Sequence, residues 1–388
     1  MQQAAQKHIY DERLTIRGTV DQDDLKLREI INIPLTTKGV LLSFQREPSY
    51  FQASKVIYKN NDHSVVEDDQ NRMIACFSNG SRPCYVNQEI KPLRYACDLR
   101  VVSAQRGKAV LNLVAKRMRE TMQNPDFAQN IIFDDNHAAR TAIQTSKFGL
   151  PQYYAEGAVQ TLTLTGFQSE KKIQAFFGQQ YQATDINKIR SCVAEPKHIE
   201  QMNQFVKEMA QFYNFIPAYD FNELLQSHPY FLGLKLNDFH LYFDEHNVLV
   251  GMFGLWDQHS FKQSKIVDYG KIIGFARPFY NVYSKVTEKM TLPKRGQSFH
   301  YHALHSLLCH PAQLALHHRM LKDALRLSKQ KGIDNVCFTL SKRDPRYQLN
   351  QFYKGEILSG THGYVSFNSD PRPSIDEAYI PYFEVGRI

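Results

Sequence analysis

The sequence predicts an α+β fold built from two copies of one unit. Residues 62–77 (DHSVVEDDQNRMIACF) align without a gap on residues 238–253 (DFHLYFDEHNVLVGMF), and each copy consists of an apolar run, an acidic turn and a second apolar run. Farther along the chain, residues 93–102 and 299–309 are apolar-rich strands, each followed by a turn and a helical pattern. We therefore expect an internal duplication.

The length and composition agree with two domains. A chain of 388 residues exceeds what one hydrophobic core usually serves, and 43% hydrophobic with 22% charged residues is ordinary for a globular protein. The boundary is expected within residues 179–196, which gives a first domain over residues 1–185 and a second over residues 186–388.

Local signals justify the elements of each unit in order. EPSYF at 47–51 and HPYF at 228–231 precede the two repeated hairpins, whose Asp, Glu, Asn and Gln residues suit a tight connection between strands. In the second unit a helix follows, stops at Gly332 and leads into the strand VCFTL. The residues that fall mainly on one face of that helix are Leu316, Met320, Leu321, Ala324, Leu325 and Leu327.

Charge and cysteine usage exclude several classes of protein. The net charge of +8 favours an anionic partner, but the basic residues are scattered, so a nucleic acid is not expected. No apolar run approaches the roughly 20 residues that span a bilayer, and the start MQQAAQKHIYDERL does not read as a signal peptide, so we expect no membrane partner. Six cysteines without a CxxC pair argue against a zinc site or disulfides and favour a reducing cytoplasm.

Histidines do not change this picture. His302 and His305 face opposite sides of a strand, and His317 and His318 diverge on a helix. Neither pair can chelate one ion, so we expect solvated or hydrogen-bonded histidines and no metal.

The stretch DLRVVSAQRGKAVLNLVAKRM, residues 98–118, joins a strand to a basic amphipathic helix through a short turn. The unpaired N–H groups and the positive dipole end of a helix N-terminus bind phosphate groups. Gly107 lets the main chain approach a ligand, while Arg106 and Lys108 add positive charge. Strand, glycine turn and helix also occur in proteins that bind no phosphate, so the residues alone leave both interpretations open.

The succession of DLRV, QRGKAVL, a basic helix, NIIF and DDNHAAR resembles the GCN5-related N-acetyltransferase (GNAT) superfamily. The resemblance implies two tandem GNAT-like domains, each a mixed, mostly antiparallel twisted sheet flanked by helices, with acetyl-coenzyme A or another acyl-coenzyme A as co-substrate. The family's turn is Arg/Gln-x-x-Gly-x-Gly/Ala, and this chain departs from it most at Leu111. By the resemblance, the coenzyme A pyrophosphate is held by the turn Arg106, Gly107, Lys108, Ala109 and Val110.

The same resemblance implies further cofactor contacts. The strand amides that hold the pantetheine arm and the thioester carbonyl would be those of Val101 and Val102. Asn136 matches an asparagine that GNAT enzymes often carry at the next helix, whereas Ile143 stands where many of them have a tyrosine that protonates the leaving thiolate. The chain therefore keeps part of the family's cofactor site and lacks its usual proton donor.

Several residues are candidates for the proton donor and the base of the acyl transfer. Tyr153 and Tyr154, in LPQYY, are the nearest replacements for the missing proton donor, unless they are aromatic residues at a domain seam. Asp98 stands on the strand where acidic residues serve many GNAT enzymes as a base; the alternative is a carboxylate that pairs with Arg94 or Arg100 to fix the strand. Further candidates for the base are Glu47, Glu89 and the carboxylate of Ile388.

Only the first copy keeps the phosphate-turn features, because the second has Pro311 and no glycine at the equivalent turn. We therefore predict an acyl-coenzyme A-dependent N-acyltransferase, with acetyl as the expected group, whose acceptor is a primary amine of a small molecule or peptide bound between the domains. Trp256 either lines that cleft or belongs to a core. The alternatives are a FemX-like aminoacyltransferase that uses aminoacyl-tRNA, and a sensor or scaffold that binds acyl-coenzyme A without turnover.

Overall fold

The computed structural model describes residues 14–37, 39–102, 108–123, 125–144, 146–178, 186–287 and 289–388. The regular structure consists of strands and helices in about equal parts. In chain order the strands are β1 (Thr15–Gly18), β2 (Leu35–Thr37), β3 (Val40–Gln45), β4 (His63–Glu67), β5 (Met73–Ser78), β6 (Ser81–Val86), β7 (Glu89–Tyr95), β8 (Cys97–Val101), β9 (Phe127–Phe133), β10 (Gln152–Phe167), β11 (Arg190–Val193), β12 (Tyr213–Asn214), β13 (Phe239–Phe243), β14 (Leu249–Asp257), β15 (Gln263–Tyr269), β16 (Ser298–Phe299), β17 (His302–Cys309), β18 (Val336–Ser341), β19 (Tyr353–Ser366) and β20 (Ile380–Pro381).

The helices lie between these strands and pack on their faces. Within the described residues, the chain contains no helix that is both long and apolar enough to cross a membrane. The α-helices are α1 (Asp24–Ile31), α2 (Tyr50–Ser54), α3 (Lys108–Thr121), α4 (His137–Gln144), α5 (Glu170–Phe177), α6 (Ile199–Met209), α7 (Asn222–Leu225), α8 (Lys271–Thr287) and α9 (Leu314–Gln330).

One long sheet runs through both units in the order β11-β13-β14-β17-β18-β10-β19-β9-β7-β6. Beside it lie a four-stranded sheet β1-β4-β5-β8 in the first unit, a second four-stranded sheet β16-β15-β3-β2 and the pair β12-β20. Most pairs are antiparallel, and the parallel pairs include β7 with β9 and β17 with β18. The predicted mixed, mostly antiparallel architecture is thus confirmed.

The duplication is visible at atomic detail in the two repeated hairpins, β4–β5 and β13–β14. In the first turn Asp68 Oδ1 accepts hydrogen bonds from the amides of Gln70 and Arg72; in the second, Asp244 Oδ1 accepts them from His246 and Val248. The left-handed residues Asn71 (φ 57°) and Asn247 (φ 64°) occupy equivalent places. An aspartate that satisfies its own turn explains why this acidic pattern recurs in both copies.

The two units exchange their last strands. Strand β10, the last of the first unit, pairs with β18 of the second unit on one side. On its other side it pairs with β19, the last long strand of the second unit, from Gln152 opposite Ser366 to Phe167 opposite Tyr353. Strand β19 in turn pairs with β9 of the first unit. Each unit therefore needs a strand of the other to complete its sheet. The domain boundary between residues 185 and 186 stays a prediction.

The largest core lies where the units meet. It contains Ile57 and Tyr95 of the first unit together with Phe205 and Trp256 of the second. Trp256 is fully buried and its Nε1–H donates to the Leu232 carbonyl at 2.8 Å. Of the two alternatives stated for Trp256, the structure selects the core role, so a place for its ring in an open cleft is wrong. In a second core, the predicted stripe of α9 is buried at Leu316, Met320, Leu321, Ala324 and Leu325.

Fragments 1–185 and 186–388 should each fail to fold alone and should fold when mixed. Separately, β9 lacks β19 and β18 lacks β10, so each fragment leaves unpaired backbone groups and open apolar surface. Circular dichroism melts of the single and mixed fragments check this, with the intact chain as the control. Independent cooperative unfolding of either fragment would contradict the exchange.

Candidate functional site

A gap opens between β8 and β9 in the first unit. Arg94 and Tyr95 pair in parallel with Ala128 and Gln129, and the amide of Ala96 donates to the Gln129 carbonyl at 2.8 Å. Beyond this point the chain turns away, because β8 pairs with β5 and not with β9. We call the gap between the diverging strands β8 and β9 the fork.

Asp98 produces the turn at the fork. Its φ of 55° lies in the left-handed region, and the register between β8 and β5 shifts at the same point. Aspartate tolerates this conformation better than most residues. In a regular strand Asp98 and Val101, three residues apart, would point to opposite faces. The irregularity at Asp98 changes the direction of its side chain, so this rule does not apply here.

The two valine amides of the fork are not equivalent. The Val102 N–H donates to the Ile74 carbonyl of the neighbouring strand at 2.9 Å, so the expectation that it is free for a ligand is wrong. In an antiparallel pair alternate residues bond to the partner, so the Val101 N–H points away from β5 and toward the fork. The side chains of both valines pack against the first unit's core.

The helix that follows the fork is present where the sequence predicts it. Arg106 and Gly107 lie outside the described residues, and helix α3 begins at Lys108. Lys108, Ala109 and Val110 are the first residues of α3 within the described part of the chain. Val110 is buried in the core, so only its main chain is available to a ligand.

Asp98 does not pair with the arginines of its own strand. Its carboxylate accepts a hydrogen bond from the Tyr50 hydroxyl at 3.2 Å and lies 3.7 Å from the Arg46 guanidinium. Arg94 instead lies 3.8 Å from Asp62, and Arg100 donates to the carbonyl of Leu99. The alternative prediction, that Asp98 pairs with Arg94 or Arg100 to fix the strand, is therefore wrong.

The second unit contributes a lysine to this place. Burial and the positive charge of Arg46 lower the pKa of Lys262 to about 7, against the opposing effect of Asp98. Lys262 Nζ donates to the carbonyl of Gly386 at 3.1 Å and to the oxygen of Ile388 at 3.5 Å. The side chains of Arg46, Tyr50, Asp98 and Lys262 are hereafter called the fork cluster.

Sequence reasoning missed most of the fork cluster. Tyr50 belongs to the EPSYF segment that marks the start of the repeat, so that segment could have suggested it. Arg46 and Lys262 stand in no motif, because they meet Asp98 only through the pairing of β3 with β15 across the two units. Ile388, proposed as a source of a carboxylate base, lies beside Lys262, and its role stays a prediction.

The predicted tyrosines lie on opposite sides of β10. Tyr153 packs against the first unit's core, as Val101 does; its hydroxyl donates to the Thr361 carbonyl at 3.5 Å, and burial raises its pKa to about 12. Tyr154 lies under the Arg372 guanidinium at 5.8 Å. Among the described residues, no hydrogen bond joins either hydroxyl to Asp98.

The remaining predicted site residues have local partners. Asn136 caps α4, since its Oδ1 accepts from the amide of Ala139 at 3.2 Å. Glu47 forms an ion pair with Arg28, and its amide donates to Gln263 Oε1 at 3.1 Å, which places it near the fork cluster. Glu89 is exposed and pairs with Lys91 at 2.8 Å. These contacts make Glu47 the nearer of the two second-rank acids.

The second unit has a fork of its own, and the chain fills it. Ser306 (φ 48°) is the counterpart of Asp98, and β17 pairs with β18 only at His302 and Ala303 before diverging. The Ser306 amide donates to Glu384 Oε2 at 2.8 Å, and the same oxygen accepts from the hydroxyls of Tyr219 and Tyr382. Burial raises the pKa of Glu384. A side chain of the C-terminal tail thus lies at the bend of the second fork.

A separate polar cavity of about 1020 Å³ lies between the units. Glu156, Arg343, Tyr364 and Asp376 are among the residues that line it, and none of the fork cluster does. Glu156 lies between Arg343 and the buried ring of His362, whose Nδ1 is 3.1 Å from Glu156 Oε2. The cavity and the fork are therefore two distinct openings at the junction of the units.

Comparison with known proteins identifies the fold. No family model and no curated protein matches the sequence. The structure is similar to Saccharomyces cerevisiae N-myristoyltransferase with bound myristoyl-CoA (TM-score 0.58, 9% identity, 92% of this chain and 84% of that one). It is also similar to a chain with a GCN5-related glucosamine N-acetyltransferase region, a fungal multi-domain β-N-acetylglucosaminidase (TM-score 0.56, 14% identity, 90% of this chain and 38% of that one). The predicted fold of two tandem GNAT-like domains is confirmed; at these identities the likeness concerns the fold alone.

Replacing Lys262 with methionine should stabilise the protein at about pH 6 by about 1–2 kcal/mol and change it little near pH 10. The folded pKa of about 7 lies below the ordinary value of 10.5, so the unfolded state binds more protons between these values and wild-type stability rises with pH across that window. Urea unfolding across pH measures the effect. Lys207→Met, on the exposed face of α6, is the control, and parallel pH curves for wild type and Lys262→Met would contradict the lowered pKa.

Proposed function

We propose that this chain is an acyl-coenzyme A-dependent N-acyltransferase. The observation that carries the proposal is the fork: an edge strand presents the Val101 amide to a gap, and a helix N-terminus at Lys108 follows directly in the chain. Similarity of fold to a structure with bound myristoyl-CoA, and to a region named as an N-acetyltransferase, supports it.

The donor set of the first fork suits an acyl-coenzyme A. The bound group would supply an activated thioester. The Val101 N–H, which points away from β5, suits the pantetheine arm or the thioester carbonyl. The first-turn amides of Lys108, Ala109 and Val110, with the charges of Arg106 and Lys108, suit the pyrophosphate.

Asp98 is our candidate for the general base. An amine attacks as a neutral nucleophile, so a proton must leave the acceptor. The Asp98 carboxylate is oriented by Tyr50 and Arg46 and lies at the bend of the fork. Lys262, with a pKa of about 7, is largely neutral at slightly alkaline pH and is a second group that can take a proton there.

We propose an acceptor site between the two units and acetyl as the transferred group. The fork cluster contains residues of both units, which supports an amine acceptor bound between the domains, and acetyl is the group we propose. Of the two tyrosines, Tyr153 is the better candidate for protonating the thiolate, because it packs on the same core as Val101 while Tyr154 lies under Arg372. We further propose that only the first unit binds acyl-coenzyme A, since in the second unit the side chain of Glu384 already lies at the bend of the fork and accepts from the Ser306 amide.

Replacing Gly107 with valine should weaken coenzyme A binding by about tenfold or more without lowering the melting temperature, because a side chain would hinder close approach of the turn to the pyrophosphate. Isothermal titration with coenzyme A and with acetyl-, octanoyl- and myristoyl-coenzyme A measures the loss and ranks the acyl groups. Gly157→Val is the matched control, since a Cβ there meets no atom within 4 Å. Unchanged affinity in Gly107→Val would move the site away from residues 106–110, and tight aminoacyl-tRNA binding in place of coenzyme A would favour the FemX-like alternative.

Asp98→Asn should lower kcat for amine acylation by about 100-fold with little change in coenzyme A affinity, because asparagine accepts the left-handed conformation but cannot take a proton. Thiol release across a panel of primary amines, followed against pH, measures this. Glu89→Gln, an exposed acid of the same unit, serves as the control. Equal kcat in Asp98→Asn and wild type would exclude Asp98 as the base, and tight acyl-coenzyme A binding without any turnover by wild type would favour the sensor alternative.

A further inference from the structure

Helix α8, Lys271–Thr287, exposes an apolar face to solvent. Exposed apolar side chains scattered singly are common on soluble proteins, but here they form one continuous row. They are between 52% and 86% exposed. The residues of this face, hereafter the α8 stripe, are Ile272, Phe275, Phe279, Val282, Tyr283 and Val286.

The orientation of α8 is fixed by polar contacts on its other side. Asn281 Nδ2 donates to the Leu292 carbonyl at 2.9 Å, and Asn281 Oδ1 accepts from the Leu292 amide at 2.9 Å. Arg277 donates to the same carbonyl at 3.1 Å, and Ser284 is fully buried. A surface helix ordinarily turns its apolar face inward, so α8 has the reverse arrangement.

The α8 stripe has a regular helical spacing. Ile272, Phe275, Phe279, Val282 and Val286 follow one another at intervals of three and four residues, which keeps them on one side of a helix. Over the helix this row is about 20 Å long. The α8 stripe is therefore a continuous apolar surface that can bind another apolar surface, rather than a set of isolated exposed side chains.

The positive charge around the α8 stripe indicates the kind of surface that it binds. Lys271, Lys289 and Lys294 are exposed, and Lys289 lies 5.0 Å from the ring of Tyr283. Between residues 271 and 295 the sequence has one acidic residue, Glu288. The basic residues of the segment are Lys271, Arg277, Lys285, Lys289, Lys294 and Arg295. A second copy of the chain would oppose like charges, whereas an anionic lipid surface offers both apolar depth and negative charge.

We propose that α8 lies in the surface of an anionic membrane, with the α8 stripe among the acyl chains and the flanking lysines at the phosphate groups. The binding is peripheral and needs no spanning segment. It departs from the sequence expectation of no membrane partner, which rested on the length of the apolar runs and on the first residues of the sequence. Because α8 follows β15, whose partner β3 leads to Arg46, the docked face is joined directly to the elements that carry the fork cluster.

Vesicle flotation of the full chain tests the proposal independently of any acyl transfer. Vesicles of phosphatidylcholine are compared with vesicles in which part of it is replaced by phosphatidylglycerol. We expect binding to the anionic vesicles that weakens with salt, and a loss of about tenfold or more in Phe275→Ser/Phe279→Ser. Ile90→Ser/Leu225→Ser, which removes similarly exposed apolar side chains elsewhere, should bind as wild type does.

Three outcomes would overturn the proposal: wild type fails to bind anionic vesicles, the double phenylalanine variant binds as well as wild type, or the Ile90/Leu225 control loses binding equally. Sedimentation velocity without vesicles separates the rival occupant. A dimer that Phe275→Ser/Phe279→Ser converts to monomer, together with no vesicle binding, would assign the α8 stripe to a second copy. Thermal melts of each variant verify that these surface changes leave the fold intact.

Discussion

The antiparallel pairing of β10 with β19 is the contact on which the rest of the structure depends. This pairing joins the last long strand of the first unit to the last long strand of the second. Through the neighbouring strands β18 and β9 it extends one sheet across both units. The two strands lie close together: a Cβ on Gly363 would lie 2.6 Å from the Tyr153 ring and from the Tyr154 carbonyl oxygen, so position 363 of β19 has room only for glycine. Because the exchanged strands fix how the units sit together, they also fix which side chains of the second unit reach the first fork.

The fork shows how much of a site can be predicted from one sequence. The repeated hairpins, a strand within residues 93–102 and a basic helix after the turn follow from local patterns. The structure has all three, with β8 ending at Val101 and α3 beginning at Lys108. Asp98 could be nominated from its position on the strand, but not its partners. Its contacts with Arg46 and Tyr50 arise from residues about 50 positions earlier in the chain, and no periodicity reports such contacts.

Other limits of prediction have equally specific physical causes. The expected free amide of Val102 failed because strand periodicity does not say which of two successive amides faces the neighbouring strand; the shift at Asp98 decides that. The exchange of β10 and β19 could not be predicted either, because a strand that pairs within its unit and one that pairs across units have the same apolar pattern. The lowered pKa of Lys262 depends on burial and on Arg46, neither of which is local in sequence.

The two forks share a bend but differ in the side chains that lie at it. In both, a left-handed residue bends the strand, Asp98 in the first unit and Ser306 in the second. In the second unit Glu384 accepts from the Ser306 amide, and the buried Arg387, three residues farther along the tail, donates to the carbonyls of Tyr230 and Val56, which lie in different units. The tail therefore satisfies the second fork and clamps the units with the same few residues. A ligand that entered there would have to displace a buried, hydrogen-bonded segment. At the bend of the first fork the structure instead places the Asp98 carboxylate with Tyr50 and Arg46, so the two copies of one unit present different chemistry at equivalent positions.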